Sequence, residues 1–215
     1  MTAPSTTLSI HILAFDEVEA LDLAGPYEVF TTAARVAARL ASGADAPAGL
    51  ASAARWQVRC VSRDGGPVRA RAGLRILPEA AFATAGPCDL LVVPGGVVDG
   101  PLACPDTLAW VRETAARCPI TASVCTGVFV LAAAGVVHTH RVTTHWEDVA
   151  DLRQRWPHLQ VDPDARWVDE GTVVSSAGIS AGIDMSLHLV ERFAGQALAE
   201  RTARQMDYRW QREAA

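Results

Sequence analysis

The chain of 215 residues is 50% hydrophobic and 20% charged, and its formal net charge is -5 at pH 7. This size and composition are typical of a single globular domain with one substantial core, so we expect one domain over residues 1–215. The acidic balance gives no general attraction for phosphate backbones, and the apolar stretches end well short of the roughly 20 residues that a membrane helix requires. We therefore expect neither nucleic acid nor a membrane as a partner.

The cysteines and basic residues exclude several kinds of site. Five cysteines, at positions 60, 88, 104, 118 and 125, form no C-x-x-C motif, and their odd number favours reduced thiols over a disulfide framework. No structural zinc site is expected, and the start of the chain lacks a charged segment before an apolar core, which predicts a cytoplasmic location. All 19 basic residues are arginine, so mechanisms that need a catalytic lysine are excluded.

The first half of the chain alternates strand and helix patterns. "LSIHILAF" predicts a strand, residues 20 to 40 predict a helix, and the low-complexity residues 41 to 54 predict a loop insertion. "WQVRCVS" predicts a second strand, and "VRARAGLRILPEAAF" predicts a hairpin with a connecting turn. "CDLLVVPGG" is a fully apolar strand that runs into a glycine pair, as expected for a parallel sheet covered on both faces.

The second half continues the alternation. "CPDTLAWVRETAARC" predicts a helix, and "ITASVCTGVFVLAAAGVV" predicts a strand followed at once by another helix. A short strand "RVTT", a helix "WEDVADLRQRW", a strand pair within "RWVDEGTVVSS", and helical segments from Ile183 and Gln196 complete the chain. This order predicts an α/β sandwich with a mainly parallel sheet.

Three loops at the carboxyl ends of the predicted strands carry candidate functional residues, because ligands of open α/β sheets bind at that edge. They contain Asp22, the pair Gly95 and Gly96, and Cys125. A strand that ends on Cys125 and turns directly into a helix predicts a nucleophile elbow. The N-terminus of that helix should lower the pKa of the thiol, so Cys125 is predicted to be the most acidic of the thiols. The backbone N–H groups of Thr126 and Gly96 could then converge on a developing negative charge.

Structural alternatives exist for several of these residues. Asp22 could cap a helix, and His145 could cap the helix that follows it. A buried cysteine is more often a small hydrophobic residue than a nucleophile. Asp16, Glu17 and Glu19 have the pattern of a solvated loop.

Five ordered motifs carry a resemblance to a known family: "LDLAGPYEVF", "DLLVVPGG", "SVCTGVFVLAAAGVV", "RVTTHW" and "SSAGISAGID". Together they resemble the ThiJ/PfpI superfamily, from Ser9 to about Arg204. The resemblance implies the class I glutamine amidotransferase-like, flavodoxin-type fold, and a homodimer. Within that superfamily, the pairing of Asp22 with Cys-Thr-Gly at the elbow is similar to that of the isonitrile hydratases and of the amidase-like sensor domains of AraC-type regulators.

The resemblance also implies roles for individual residues. Cys125 is the expected nucleophile, Asp22 the acid/base, and Thr126 the neighbour that orients water or substrate. The oxyanion or substrate-binding residues are expected to be Gly95, Gly96, His145, Trp146 and Ile179. The implied reaction converts an isonitrile, the small-molecule substrate, to an N-substituted formamide without a metal or organic cofactor.

Two other functions remain open. A cofactor-free glyoxalase or thiol-dependent hydrolase would use His145 as its proton carrier. A sensor domain would bind a small molecule without turnover, but in AraC-type proteins a helix-turn-helix region follows it. Because only seven residues follow Tyr208 here, the sequence favours a free-standing enzyme.

Overall fold

The structure is a computed structural model that describes residues 7–41 and 48–212. Its strands are β1 (Ser9–Leu13), β2 (Gln57–Ser62), β3 (Val68–Arg69), β4 (Arg75–Ile76), β5 (Ala80–Ala81), β6 (Leu90–Val93), β7 (Ile120–Val124), β8 (Arg141–Val142), β9 (Gln160–Val161), β10 (Trp167–Asp169) and β11 (Val173–Ser176). Its α-helices are α1 (Ala20–Leu40), α2 (Ala48–Ala53), α3 (Asp99–Leu102), α4 (Pro105–Ala115), α5 (Gly127–Ala133), α6 (Val149–Arg155), α7 (Ala181–Ala194) and α8 (Gln196–Gln205).

Seven strands form the central sheet, in the order β10-β11-β7-β6-β1-β2-β5. All neighbours in this sheet are parallel except β10 and β11, which form an antiparallel edge. The inner strands β6 and β7 are buried along their whole length, which explains why their sequences are apolar or small rather than alternating. The flavodoxin-like, mainly parallel α/β fold predicted from the sequence is confirmed.

Helices flank the sheet and bury its apolar faces. Helix α1 packs against α7 and α8, whereas α5 packs against α3 and α4 and lies on β6 and β7. The core includes large, fully buried side chains from both strands and helices, such as Ile10, Leu91 and Leu131. Among the described residues, no helix combines the length and apolar character needed to cross a bilayer.

Most predicted elements are present, with local corrections. Helix α1 has the predicted bounds, and the predicted hairpin is the antiparallel pair of β3 and β4. The predicted loop insertion over residues 41 to 54 is wrong in part, because residues 48 to 53 form α2, which packs against α1 and α7. Residues 42–47 of that segment lie outside the described residues.

Parallel pairing brings the ends of β1, β6, β7 and β11 to one edge of the sheet. The segments that follow them carry Asp22, the Gly95–Gly96 pair, Cys125 and Ile179. Residues that lie far apart in sequence therefore meet at one place.

Candidate active site

Cys125 occupies a sharp turn between β7 and α5. Its φ of 55° lies in the left-handed region, which is costly for a residue with a side chain. Two hydrogen bonds hold this backbone: Cys125 N–H donates to Ser176 O at 3.1 Å, and the Thr144 hydroxyl donates to Cys125 O at 3.0 Å. The sheet and the segment after β8 thus fix the turn, and the predicted strained elbow is present.

Asp22 lies in the first turn of α1 and is completely buried. Gly95 N–H donates to its Oδ2 at 3.1 Å, whereas its Oδ1 has no nitrogen or oxygen donor among the described residues. Burial raises the pKa of Asp22 from its ordinary value of 3.8 to about 7, while Gly95 N–H and the adjacent Cys125 thiol act in the opposite direction. The carboxyl can therefore hold or release a proton near neutral pH.

The Gly95–Gly96 turn fits tightly between two other loops. Glu19 N–H donates to Gly95 O at 2.9 Å, and Val97 N–H donates to Glu17 O at 3.0 Å. Gly96 has a φ of 132°, and a Cβ there would overlap the carbonyl oxygen of Glu17. Both the conformation and the close approach therefore require glycine.

The hydrogen bonds of Thr126 correct the prediction that Gly96 N–H faces a developing charge. Gly96 N–H donates to the Thr126 hydroxyl at 2.9 Å, and this hydroxyl donates to Gly96 O at 2.9 Å. The Thr126 side chain thus locks the glycine turn to the elbow, and Gly96 N–H already has an acceptor.

The electrostatics of Cys125 also differ from the prediction. Burial, followed by the charge of Asp22, raises the pKa of Cys125 to about 12, and the N–H groups of Thr126 and Ile179 lower it by less. The prediction that Cys125 is the most acidic thiol is wrong, since desolvation outweighs the end of a helix only seven residues long. The donors that face the sulfur come from Thr126 and Ile179, not from Gly96.

A cavity of about 290 Å³ opens above the thiol. It is lined by Glu19, Arg71, Gly96, Val97, Cys125, Thr126, His145, Glu147, Asp148 and Ile179. Asp22 and Gly95 lie beneath this wall, with Gly95 bonded to the buried carboxyl. The arrangement brings together a thiol, a buried carboxyl that can be protonated near neutral pH, and room for a small molecule.

Comparison with known proteins assigns the chain to a family. The model of the DJ-1/PfpI family matches residues 8–192. The chain belongs to the DJ-1/PfpI family.

Individual members of the DJ-1/PfpI family resemble the chain over different lengths. The isonitrile hydratase of Pseudomonas putida is 35% identical over 94% of this chain and 78% of its own length. The HTH-type transcriptional regulator CdhR of Pseudomonas aeruginosa is 32% identical over 70% of this chain, but the match spans only 44% of that regulator. A ThiJ/PfpI family protein from Pseudomonas syringae superposes with a TM-score of 0.77 at 28% identity, over 94% of this chain and 76% of that structure. The family thus includes an enzyme and regulators.

Within this DJ-1/PfpI domain, most of the site residues predicted from the sequence line the cavity, two lie behind its wall, and one lies outside it. Cys125, Thr126, Gly96, His145 and Ile179 line the cavity, and Asp22 and Gly95 lie directly behind it. The prediction that Trp146 binds substrate is wrong. Its side chain is 73% exposed and does not line the cavity, because the 3₁₀ turn Trp146–Asp148 points it outward.

His145 lines the cavity and also caps the turn that follows it. Its Nδ1 accepts a hydrogen bond from Glu147 N–H at 3.4 Å and lies 3.5 Å from Asp148 Oδ2. The capping alternative is therefore confirmed.

Sequence reasoning missed four charged residues at the cavity. Glu19, which the sequence assigns to a solvated loop, forms an ion pair with Arg71 at 3.5 Å. Arg71 comes from the turn between β3 and β4, and Glu147 and Asp148 come from the turn after His145. No local sequence pattern identifies these residues. Arg71 reaches the cavity only because the hairpin packs against the loop before α1, where Arg71 N–H donates to Val18 O at 3.0 Å.

We expect limiting iodoacetamide near neutral pH to modify Cys104 before Cys125. Hydrogen bonds from the side chain and backbone of Thr107 lower the pKa of Cys104, and its thiol is partly exposed, whereas burial raises the pKa of Cys125. Peptide mass spectrometry measures the order, and Cys104→Ala provides the control for assignment. Labelling of Cys125 first would contradict this account of the thiols.

Proposed function

We propose that this protein is an enzyme that hydrates a small isonitrile to an N-substituted formamide. The observation that carries the proposal is the pairing of a buried carboxyl, whose pKa lies near 7, with a neutral thiol on a strained turn. Isonitrile hydration needs such a pair, since the terminal carbon must gain a proton before it becomes open to a sulfur nucleophile. Similarity to the isonitrile hydratase of Pseudomonas putida supports the same chemistry.

In the first step, protonated Asp22 gives its proton to the isonitrile carbon while Cys125 sulfur attacks that carbon. The thiol proton passes to the carboxylate, so the step adds S–H across the carbon and forms a thioimidate. This relay explains how a thiol of high pKa can react, because its proton leaves as the carbon–sulfur bond forms and no free thiolate accumulates. The N–H groups of Thr126 and Ile179 stabilise charge on the sulfur during attack.

In the second step, water adds to the thioimidate carbon. Asp22, which the thiol reprotonated in the first step, gives this proton to the thioimidate nitrogen and, now as the carboxylate, accepts a proton from the water. Collapse of the tetrahedral adduct breaks the carbon–sulfur bond, releases the formamide and returns the proton to the thiol. All atoms come from the isonitrile and one water, so the reaction needs no cofactor.

The charges at the cavity wall favour neutral or cationic isonitriles. Glu19, Glu147 and Asp148 line the cavity, and Arg71, which pairs with Glu19, is the arginine that lines it among the described residues. A carboxylate on the substrate would meet net repulsion at short range. The volume of about 290 Å³ suits a compact substituent. Family resemblance further supports a homodimer.

Incubation of the purified protein with matched isonitriles tests the proposal. We expect formamide from an isocyanoacetate ester, slower turnover of free isocyanoacetate, and no lactate from methylglyoxal. Chromatography with mass detection measures all three products. Lactate without formamide would instead support the glyoxalase alternative, with His145 at the cavity wall as its proton carrier. Saturable binding of isonitriles without any product would support the sensor alternative.

A further inference from the structure

Two cysteines outside the candidate active site lie side by side at the opposite edge of the sheet. Cys88 and Cys118 each precede a strand by two residues, and the first residues of those strands, Leu90 and Ile120, are register partners. Their Sγ atoms are 3.3 Å apart, although both thiols are free. The structure therefore holds an unlinked pair of thiols in van der Waals contact.

The backbone around this pair suits a covalent link. Ile120 N–H donates to Asp89 O at 3.4 Å, so the two segments remain paired beyond the ends of the strands. Neighbouring strands lie about 4.8 Å apart, which falls within the usual range of Cα separations across a disulfide, about 4.4 to 6.8 Å. The sulfurs need to approach by only about 1.3 Å to reach the bonded distance.

The two thiols differ in their access to solvent. Cys88 is buried, whereas Cys118 is partly exposed and lines a surface cavity of about 260 Å³ together with Arg112 and His140. Cys118 Sγ donates to Ile120 O at 3.2 Å, which leaves the Cys88 thiol to donate to the Cys118 sulfur. A small oxidant can thus reach Cys118 from solvent, with Cys88 directly behind it.

We propose that Cys88 and Cys118 form an oxidisable dithiol site, at which Cys118 attacks a hydroperoxide and Cys88 resolves the product to an intramolecular disulfide. In the first step, Cys118 sulfur takes the distal oxygen of hydrogen peroxide, the O–O bond breaks, and the departing hydroxide leaves as water with the thiol proton. In the second, Cys88 sulfur attacks Cys118 sulfur, the S–O bond breaks, and a second water leaves with the Cys88 proton. Two thiols are oxidised and one peroxide is reduced to two waters.

The electrostatics agree with this division of roles. The hydrogen bond from Cys88 lowers the pKa of Cys118, and the same contact raises the pKa of Cys88. The backbone groups of Ile120 and Leu91 also lower the pKa of Cys118, whereas burial and the charge of Asp89 oppose them. Cys125 follows the carboxyl end of β7, so the dithiol reaction does not involve it.

The first experiment uses the wild-type chain and hydrogen peroxide. We expect the free-thiol count to fall from five to three, with an intact mass that loses two hydrogen atoms and no change in chain number on a non-reducing gel. Trypsin cuts only at arginine here, so the linked peptides are 76–112, which carries Cys88 and Cys104, and 118–141, which carries Cys118 and Cys125. Fragment spectra and variants must then assign the bond.

The variants separate this pair from the other thiols. Cys104→Ala is the matched control and should still form the link, whereas Cys118→Ala and Cys88→Ala should not. In Cys88→Ala, dimedone should trap a sulfenic acid on Cys118. Four results would overturn the proposal: five thiols that persist in peroxide, oxidation of Cys118 to sulfinic acid in the wild type without a link, a link between other cysteines, or a dimedone adduct on Cys88 in Cys118→Ala.

Discussion

Cys125→Ala is expected to abolish formamide formation from isonitriles and to leave the fold intact. Alanine removes the protein atom that bonds to the isonitrile carbon in the proposed mechanism, and among the described residues no other thiol lines the cavity. The substitution keeps Cβ at a position with φ of 55°, so it adds no new side-chain atoms to the strained turn. Steady-state rates with an isocyanoacetate ester, together with the thermal midpoint of each protein, measure both expectations.

Cys104→Ala is the matched control for this experiment. It also removes one thiol, but Cys104 lies at a different surface cavity, beside Phe15, Arg63 and Thr107. We expect its turnover to equal that of the wild type. Residual turnover in Cys125→Ala within tenfold of the wild-type rate would rule out covalent catalysis by this thiol.

Asp22→Asn is expected to lower turnover by about 10²-fold or more, since it keeps the shape of the carboxyl but cannot deliver a proton. In the wild type, kcat/KM should fall as pH rises through about 7, because the acid form of Asp22 is lost there. In the variant this limb of the pH profile should disappear. A double variant with Cys125→Ala should be little worse than Cys125→Ala alone, because residues that act as a unit are not additive.

The same substitution should also remove a pH dependence of stability that the wild type shows. The folded-state pKa of Asp22 is about 7 and its ordinary value is 3.8, so between these values the folded state binds more protons than the unfolded state. The free energy of unfolding therefore decreases as pH rises from about 4 to 7, by roughly 4 kcal/mol if the whole shift is expressed. Denaturant titrations of both proteins at a series of pH values measure the difference between them.

We expect Asp22→Asn to lack this decrease in the free energy of unfolding. The difference in stability between the variant and the wild type should therefore shift in favour of the variant from pH 4 to pH 8. Parallel pH curves for the two proteins would contradict the raised pKa. Near-wild-type turnover in Asp22→Asn would contradict the acid role instead and would favour His145. The stability curves test the raised pKa of Asp22, and the turnover rates test its role as the acid. The two properties can therefore be judged separately.

The sequence predicts the position of the elbow better than its electrostatics. Cys125 follows an apolar strand and precedes small and apolar residues at helical spacing, which are local signals, and the bounds of α1 are equally local. The pKa of Cys125 instead depends on how deeply tertiary packing buries the thiol and on a carboxyl that lies 103 positions earlier in the numbering, at Asp22. A sequence pattern can identify the helix N-terminus that lowers the pKa of the thiol, but it cannot identify the desolvation that raises this pKa.

The same reason explains the errors at the cavity wall. Gly96 was expected to offer a free N–H, but the Thr126 hydroxyl, which the sequence assigns to substrate or water, accepts that hydrogen bond. Trp146 has the aromatic character of a binding residue, yet the turn that His145 caps directs it to solvent. Glu19 lines the cavity and pairs with Arg71, which comes from a hairpin outside the central sheet.

Part of the cavity wall therefore comes from a different element of the fold than the reactive atoms do: the β3–β4 hairpin supplies Arg71, and the central sheet positions the thiol and the carboxyl. Asp22, Cys125 and the glycine turn follow strands of the central sheet, whereas Arg71 sits on the two-stranded β3–β4 appendage and joins the site through Val18 O. Insertions or substitutions between β3 and β4 can therefore reshape the entrance without moving the nucleophile or its carboxyl. Substitutions within the hairpin, a segment of fewer than ten residues, can therefore change substrate selectivity while the positions of the thiol and the carboxyl are kept.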